Sequence, residues 1–216
     1  MSRNFDFVIF DFDGTVADTG KGIFTCASIA VKELGFEPLS DAQLRTFVGP
    51  PLLDSFMRTL AVDETVAAKA VSIYRANYSE SGIYMFELYK GMDSLIRTLH
   101  ANGIKLAIAS AKPEKFIRKI IEHLNYGEFF GAISAPDLNN TEPSKTALVE
   151  SACAGLGADK SRAVMIGDRH FDILGAKEAG VKSIGVTYGF GSRDELTQAG
   201  ADFIADSVAG LEKILL

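Results

Sequence analysis

At 216 residues the chain can hold one large domain or a core with a smaller appendage. Its 47% hydrophobic and 23% charged content is that of a globular protein, and a formal charge of -6 argues against a nucleic-acid surface, which needs basic patches. No apolar run approaches the roughly 20 residues that cross a bilayer, so neither nucleic acid nor membrane is an expected partner.

Met1-Ser2-Arg3-Asn4 leads directly into the first apolar segment and leaves no room for a signal peptide, and the expected compartment is the cytoplasm. Phe7-Val8-Ile9-Phe10, lengthened by Phe5, predicts a short strand buried on both faces, as parallel sheets require. The run stops at Asp11-Phe12-Asp13-Gly14-Thr15. Two carboxylates two residues apart would share a face if the strand continued, and Gly14 lets the backbone turn and leave. Open α/β sheets place their ligands at such carboxyl ends, although Asp, Gly and Thr are also ordinary turn formers.

After Thr15 the pattern is helical for about 60 residues, with no period-two alternation. Ile23, Phe24, Ala27, Ala30, Val31 and Leu34 share one helical face, which Gly35 stops; Cys26 sits within it. Ser40-Asp41 opens a second helix, broken at Gly49-Pro50-Pro51; Leu53, Phe56, Met57 and Leu60 make a third, and Asp63 starts a fourth. Pro fixes φ and removes donors, so the 49–51 turn is rigid. Arg45, Asp54 and Arg58 flank it. A plain helix–helix corner and a loop that selects a ligand both fit these residues.

From Gly91 helices and strands alternate. Strands are expected at 105–109, 130–135, 163–166, 182–186 and, at an edge, 202–205, with helices between them and a closing helix to Leu215. Ser192-x-x-Glu195 predicts a capping box. Cys153, like Cys26, reads as a buried free thiol of a reducing compartment. The predicted fold class is α/β, a doubly wound, Rossmann-like parallel sheet core at 1–16 and 88–216 with an α-helical cap domain inserted at 17–87.

Several strand ends carry chemistry-bearing residues. Ser110-Ala111-Lys112-Pro113 sets a hydroxyl and amides where a strand runs into a helix N-terminus, which makes an anion site; a simple helix cap is the plainer reading of Ser110. Lys112 also reads as solvated. Lys145, in a first helical turn, opposes the macrodipole and wants a local anion, unless it is a surface lysine. Gly167-Asp168-Arg169-His170-Phe171-Asp172 ends the strand at 163–166. Asp172 doubles as a helix-start residue, and His170 is assigned no chemistry.

Asp11-Phe12-Asp13-Gly14-Thr15 after an apolar strand resembles the first motif of the haloacid dehalogenase superfamily of phosphohydrolases, and the resemblance spans the chain. Gly49-Pro50-Pro51-Leu52 and Tyr188-Gly189-Phe190-Gly191 look most like its phosphoglycolate phosphatase-like branch. The resemblance implies Asp11 as nucleophile and Asp13 as general acid and base. It implies that Ser110 and the Ala111 amide hold a phosphoryl oxygen. Many relatives put their cationic lysine directly before a proline; Glu142 stands there, so Lys145 is the candidate, with Lys112 the other. Asp11, Asp13 through its carbonyl, and Asp168 would hold Mg²⁺, with Asp172 orienting Lys145 or a metal-bound water. Arg45, Gly49, Pro50 and Arg58 are the candidates for substrate selection in the cap.

The resulting expectation is a Mg²⁺-dependent phosphomonoester hydrolase that acts through an aspartyl-phosphate on a small, phosphoglycolate-like metabolite, as a monomer or homodimer. A 5'-nucleotidase and a β-phosphoglucomutase-type phosphotransferase keep the same residues. A dehalogenase would lack Asp13, and a phosphate-sensing module would be expected to lose the nucleophile or the acid.

Overall fold

The computed structural model describes residues 4–138 and 143–216. In chain order these form β1 (Phe7–Phe10), β2 (Ala17–Asp18), α1 (Gly20–Glu33), α2 (Asp41–Arg45), α3 (Leu52–Leu60), α4 (Glu64–Glu80), β3 (Glu87–Leu88), α5 (Met92–Ala101), β4 (Lys105–Ala109) and α6 (Glu114–His123). They continue with β5 (Phe130–Ser134), α7 (Lys145–Leu156), β6 (Ala163–Gly167), α8 (His170–Ala179), β7 (Lys182–Val186), α9 (Arg193–Ala199), β8 (Phe203–Ala205) and α10 (Val208–Leu215). No helix among the described residues is long and apolar enough to cross a membrane.

The chain divides into two compact units, Met1–Asp18 with Leu88–Leu216, and Thr19–Glu87. The first is a doubly wound α/β unit around a six-stranded sheet in the order β5-β4-β1-β6-β7-β8, with parallel pairings throughout. Ile9, Ala107, Ala109 and Met165 pack with Leu148, Val149 and Ala152 of α7 and Ala176 of α8. The alternate set, Val8, Phe10, Leu106, Ile108, Val164 and Ile166, points to the opposite face and is equally buried. A sheet covered on both faces needs apolar residues at both parities, and that is why the strands read as unbroken runs.

β1 lies between β4 and β6, with Phe10 opposite Ile108 and Ile166. Successive crossovers run to opposite sides of β1, so the carboxyl ends of β4, β1 and β6 border the crevice where such sheets bind ligands. β1 ends at Phe10 and does not carry Asp11 and Asp13 onward as a strand. The Phe12 carbonyl accepts from the amides of Thr15, Val16 and Ala17, and Gly14 turns the chain at φ +84°.

The second unit is helical, as the pattern predicts. Ser40 and Gln43 close a capping box on α2, and Asp63 caps α4 through the Val66 amide. Phe47, Phe56, Tyr74 and Tyr78 form its aromatic core, with Phe47 and Phe56 edge-to-face at 4.8 Å and Tyr74 and Tyr78 stacked at 5.4 Å. Cys26 lies in this unit and Cys153 in the other; both are buried free thiols, and burial pushes the Cys26 thiol up to about 11.

The capping box expected at Ser192 forms only in half. Ser192 Oγ accepts the Glu195 amide at 3.1 Å, but the Glu195 carboxylate turns away to α8, where it accepts from the His170 amide at 3.0 Å and from Arg169 Nε at 2.9 Å. There it meets the first amide of α8 and a guanidinium, a stronger pair of donors than its own N-cap amide. These donors overcome its burial and hold the carboxyl down to about 2.

Candidate active site

The carboxyl ends of β1, β4 and β6 bring the predicted residues of the first unit together around Lys145. Lys145 opens α7 behind the N-cap Ser144, whose hydroxyl accepts the Ala147 amide at 3.2 Å. Its ammonium meets Asp11 Oδ1 at 2.7 Å, Asp172 Oδ1 at 2.7 Å and the Ala109 carbonyl at 3.0 Å. Burial works against this ammonium, but Asp11 and Asp172 outweigh it and its pKa lies above the ordinary lysine value. The local anion that a lysine in a first helical turn demands is therefore present twice over. Glu142 lies outside the described residues.

Asp172 fills both roles the sequence offered it. Oδ1 holds Lys145, while Oδ2 accepts the Arg169 amide at 3.0 Å and caps α8. Two glycines give it and Lys145 their space. A methyl at Gly167 would collide with the Asp172 side chain, and one at Gly175 would stand 2.7 Å from Lys145 Cγ and 3.0 Å from Lys145 Cβ. Sequence reasoning passed over Gly175. Its signal was an isolated glycine inside a helical pattern, which costs about 1 kcal/mol relative to Ala and so needs a packing reason.

Asp13 has a cation of its own. Lys112 Nζ donates to Asp13 Oδ1 at 3.0 Å and Oδ2 at 3.1 Å, with the lysine side chain only 4% exposed. Lys112 is thus not the solvated side chain that its place in a short turn allowed. Nothing local in Ser-Ala-Lys-Pro separates the two cases, because the partner lies 99 residues away. Ser110 is buried at the end of β4, bonded through its amide to the Ser134 carbonyl at 3.0 Å and accepting the Lys112 amide on Oγ at 3.4 Å. Ala111 follows at the turn into α6. Arg45, Gly49, Pro50 and Arg58 belong to the helical unit. There Gly49 has φ +102°, Pro50 precedes the N-cap Pro51 of α3, and Arg58 Nη2 reaches the Thr46 carbonyl at 3.5 Å.

Asp168 follows β6 directly. Oδ2 accepts the Phe190 amide at 2.7 Å, and Oδ1 accepts from the buried Thr15 hydroxyl at 3.5 Å. Burial, reinforced by Asp172 and Asp11, pushes its carboxyl well above the usual range. Burial first, then Asp172 and Asp13, raises Asp11 to about 6 against the opposing pull of Lys145. Asp11, Asp168 and Asp172, all buried, each bring an oxygen within 4.8 Å of the others. Buried carboxylates are hard oxygen donors; with Asp172 Oδ1 on Lys145 and Oδ2 on the Arg169 amide, Asp11 and Asp168 are the members of this set that fit a small divalent cation such as Mg²⁺.

Residues 8–186 match the model of the haloacid dehalogenase-like hydrolase family. The chain is 36% identical over 208 residues to a 5'-nucleotidase of Pseudomonas aeruginosa, covering 96% of this chain and 94% of that protein. It is 28% identical over 216 residues to a phosphoglycolate phosphatase of Vibrio parahaemolyticus, covering 96% and 95%. Among solved structures, a predicted phosphatase from Clostridium acetobutylicum superposes with a TM-score of 0.90 at 36% identity, covering 97% of each chain.

Proposed function

Since this chain belongs to the haloacid dehalogenase-like hydrolase family and is a phosphatase, we propose that it cleaves phosphate monoesters of small metabolites through an aspartyl-phosphate formed on Asp11. The observation that carries this reading is the Lys145 ammonium held between Asp11 and Asp172, each at 2.7 Å. A carboxylate cannot approach a phosphate dianion without charge neutralisation, and phosphoryl transfer asks for little else beyond positioning.

With Lys145 on Oδ1, Asp11 attacks phosphorus through Oδ2, and the bond from phosphorus to the ester oxygen breaks. Asp13 protonates the departing alkoxide. It then takes a proton from the water that attacks phosphorus, the bond to Asp11 Oδ2 breaks, and inorganic phosphate leaves. The Ser110 hydroxyl and the Ala111 amide hold phosphoryl oxygens at the start of α6. Asp172 keeps Lys145 aimed. Asp11, Asp168 and the Asp13 carbonyl would hold Mg²⁺, which when bound would supply Lewis-acid stabilisation of the charge on the phosphoryl group.

The substrate is a phosphoglycolate-like metabolite, the reading supported by residues 49–52 and 188–191. A nucleoside monophosphate is the second reading, favoured by the higher identity to the nucleotidase relative, 36% against 28%. Arg45, Gly49, Pro50 and Arg58 make the choice. A panel of phosphorylated metabolites assayed with Mg²⁺ identifies the class. Acid-quenched turnover of labelled substrate then gives label on wild-type protein and none on Asp11→Asn. Turnover by Asp11→Asn above a few per cent of wild type refutes the covalent route, and phosphoryl transfer between sugars in place of release to water makes the protein a mutase.

A further inference from the structure

Residues 188–191, Tyr-Gly-Phe-Gly, follow β7 and take no part in the chemistry above, yet they are built against Asp168. The Phe190 amide donates to Asp168 Oδ2 at 2.7 Å. The Tyr188 hydroxyl donates to the Thr15 carbonyl at 3.2 Å, and its ring packs 4.7 Å from that of Tyr89. Burial pushes the Tyr188 phenol up, so it stays a donor. The segment is thus tied at Tyr188 to the loop that leaves β1 and at Phe190 to the carboxylate itself.

The glycines show how closely the backbone fits. A methyl at Gly189 would fall 2.5 Å from Asp168 Cβ and 2.6 Å from Oδ2, and would collide with the Gly14 carbonyl. One at Gly191 would collide with the Asp168 carbonyl. One at Gly14 would meet Asp168 Oδ2 and stand 2.8 Å from the Phe190 ring. Neither Gly189 nor Gly191 has a positive φ, so their small size serves space and not conformation. Oδ2 is enclosed by bare backbone and holds a short hydrogen bond, whereas among the described residues Oδ1 has only the long 3.5 Å contact from Thr15.

We propose that residues 188–191 are a strap that makes Asp168 a one-oxygen ligand, offering Oδ1 and withholding Oδ2, and that this biases the site toward Mg²⁺ over Ca²⁺. Mg²⁺ demands six ligands in a near-ideal octahedron at about 2.0–2.1 Å, and single carboxylate oxygens suit it. Ca²⁺ takes about six to eight oxygens at about 2.3–2.6 Å and gains from a carboxylate that can swing to two-oxygen contact. An oxygen locked to an amide and walled by glycines cannot make that swing. Gly189, Phe190 and Tyr188 are positioning residues here, and the inference rests on Asp168 being a metal ligand.

Calorimetric titration of the metal-free full chain with Mg²⁺ and, separately, Ca²⁺ tests it in wild type, Gly189→Ala, Tyr188→Phe and Asp168→Asn. Gly189→Ala is expected to weaken Mg²⁺ binding on the order of tenfold, as loss of a supporting contact does, and Ca²⁺ binding by less. Tyr188→Phe should move the ratio of the two dissociation constants the same way by a smaller factor, and it answers the question even if Gly189→Ala does not fold. An unchanged ratio in both variants, or equal loss of both ions, while Asp168→Asn abolishes Mg²⁺ binding, overturns the strap and leaves the metal site standing. Wild-type Mg²⁺ affinity in Asp168→Asn overturns the ligand assignment and the strap with it.

Discussion

A lysine as the first residue of a helix faces the positive end of the macrodipole, and Lys145 tolerates this because Asp11 and Asp172 each lie 2.7 Å from its ammonium. Removing it leaves the buried carboxylates without that charge and, on the proposed mechanism, the phosphoryl group without a neutralising partner. Lys145→Ala is therefore expected to lower kcat/KM on the order of 10²-fold or more for every substrate, measured at saturating Mg²⁺. Lys112 should behave differently, because its partner, Asp13, is the residue proposed to move the proton. In Lys112→Met, esters of alkyl alcohols, which need a proton on the departing oxygen, should lose about tenfold in kcat, part of the 10²–10⁴ that acid–base help supplies. Hydrolysis of p-nitrophenyl phosphate, whose leaving group departs without a proton, should change little. Equal losses on both esters would instead make Lys112 a binder of the phosphoryl group.

At the scale of elements, α8 is shaped by the lysine that crosses it. Asp172 and Gly175 are three residues apart on one face, the first holding the Lys145 ammonium and the second leaving room for its stem. Helix propensity says that Gly175→Ala should stabilise by about 1 kcal/mol. The new Cβ would stand 2.7 Å from Lys145 Cγ, so the outcome expected is a fall in kcat with no gain in melting temperature. A more stable and fully active variant would show that Lys145 has slack that these distances deny it. The helical unit offers an independent test between α2 and α3. Arg45→Ala or Arg58→Ala should reorder metabolites by kcat/KM while p-nitrophenyl phosphate turnover stays nearly constant, since the groups proposed to act on phosphorus lie in the other unit. A uniform loss on all substrates would reduce the 49–51 turn to a corner.

The charge distribution of the whole molecule predicts its response to pH and metal. Asp11, raised to about 6, and Asp168, raised well above the usual range, bind protons more tightly folded than unfolded. Their contribution to stability is full below the unfolded carboxyl value of about 3.9 and is lost as pH rises through the folded values. Metal-free protein should thus melt at lower temperature as pH rises from about 5 through about 6 and beyond. Glu195, held down to about 2, acts with opposite sign only at lower pH, where its stabilisation is lost as it protonates. Added Mg²⁺ should restore the melting temperature at neutral pH. Asp168→Asn, which keeps an acceptor for the Phe190 amide without the charge, should melt above wild type when metal is absent and respond far less to Mg²⁺. Melting curves in chelator and in Mg²⁺ check both, and a metal-free melting temperature that rises over this pH range would refute the assignment of buried surplus charge.

Much of this protein is decided by its sequence alone, because short-range physics decides it. Short apolar runs of both parities, bounded by turn residues, read as strands covered on two faces, helices of period 3.6 fill the intervals, and the helical pattern after Thr15 separates a second unit. Asp11, Asp13, Ser110, Lys145, Asp168 and Asp172 were legible as candidates because each sits near the end of a strand or the start of a helix, and such points gather at one edge of a parallel sheet. Pairing was not legible. That Lys145 goes to Asp11 and Lys112 to Asp13, that Glu195 leaves its own helix for α8, and that residues 188–191 close on Asp168 are contacts across some 22 to 134 residues. Local propensity carries no term for them. The order of the strands brings these groups within hydrogen-bonding reach, and burial then leaves each charge only the partner that the tertiary structure supplies.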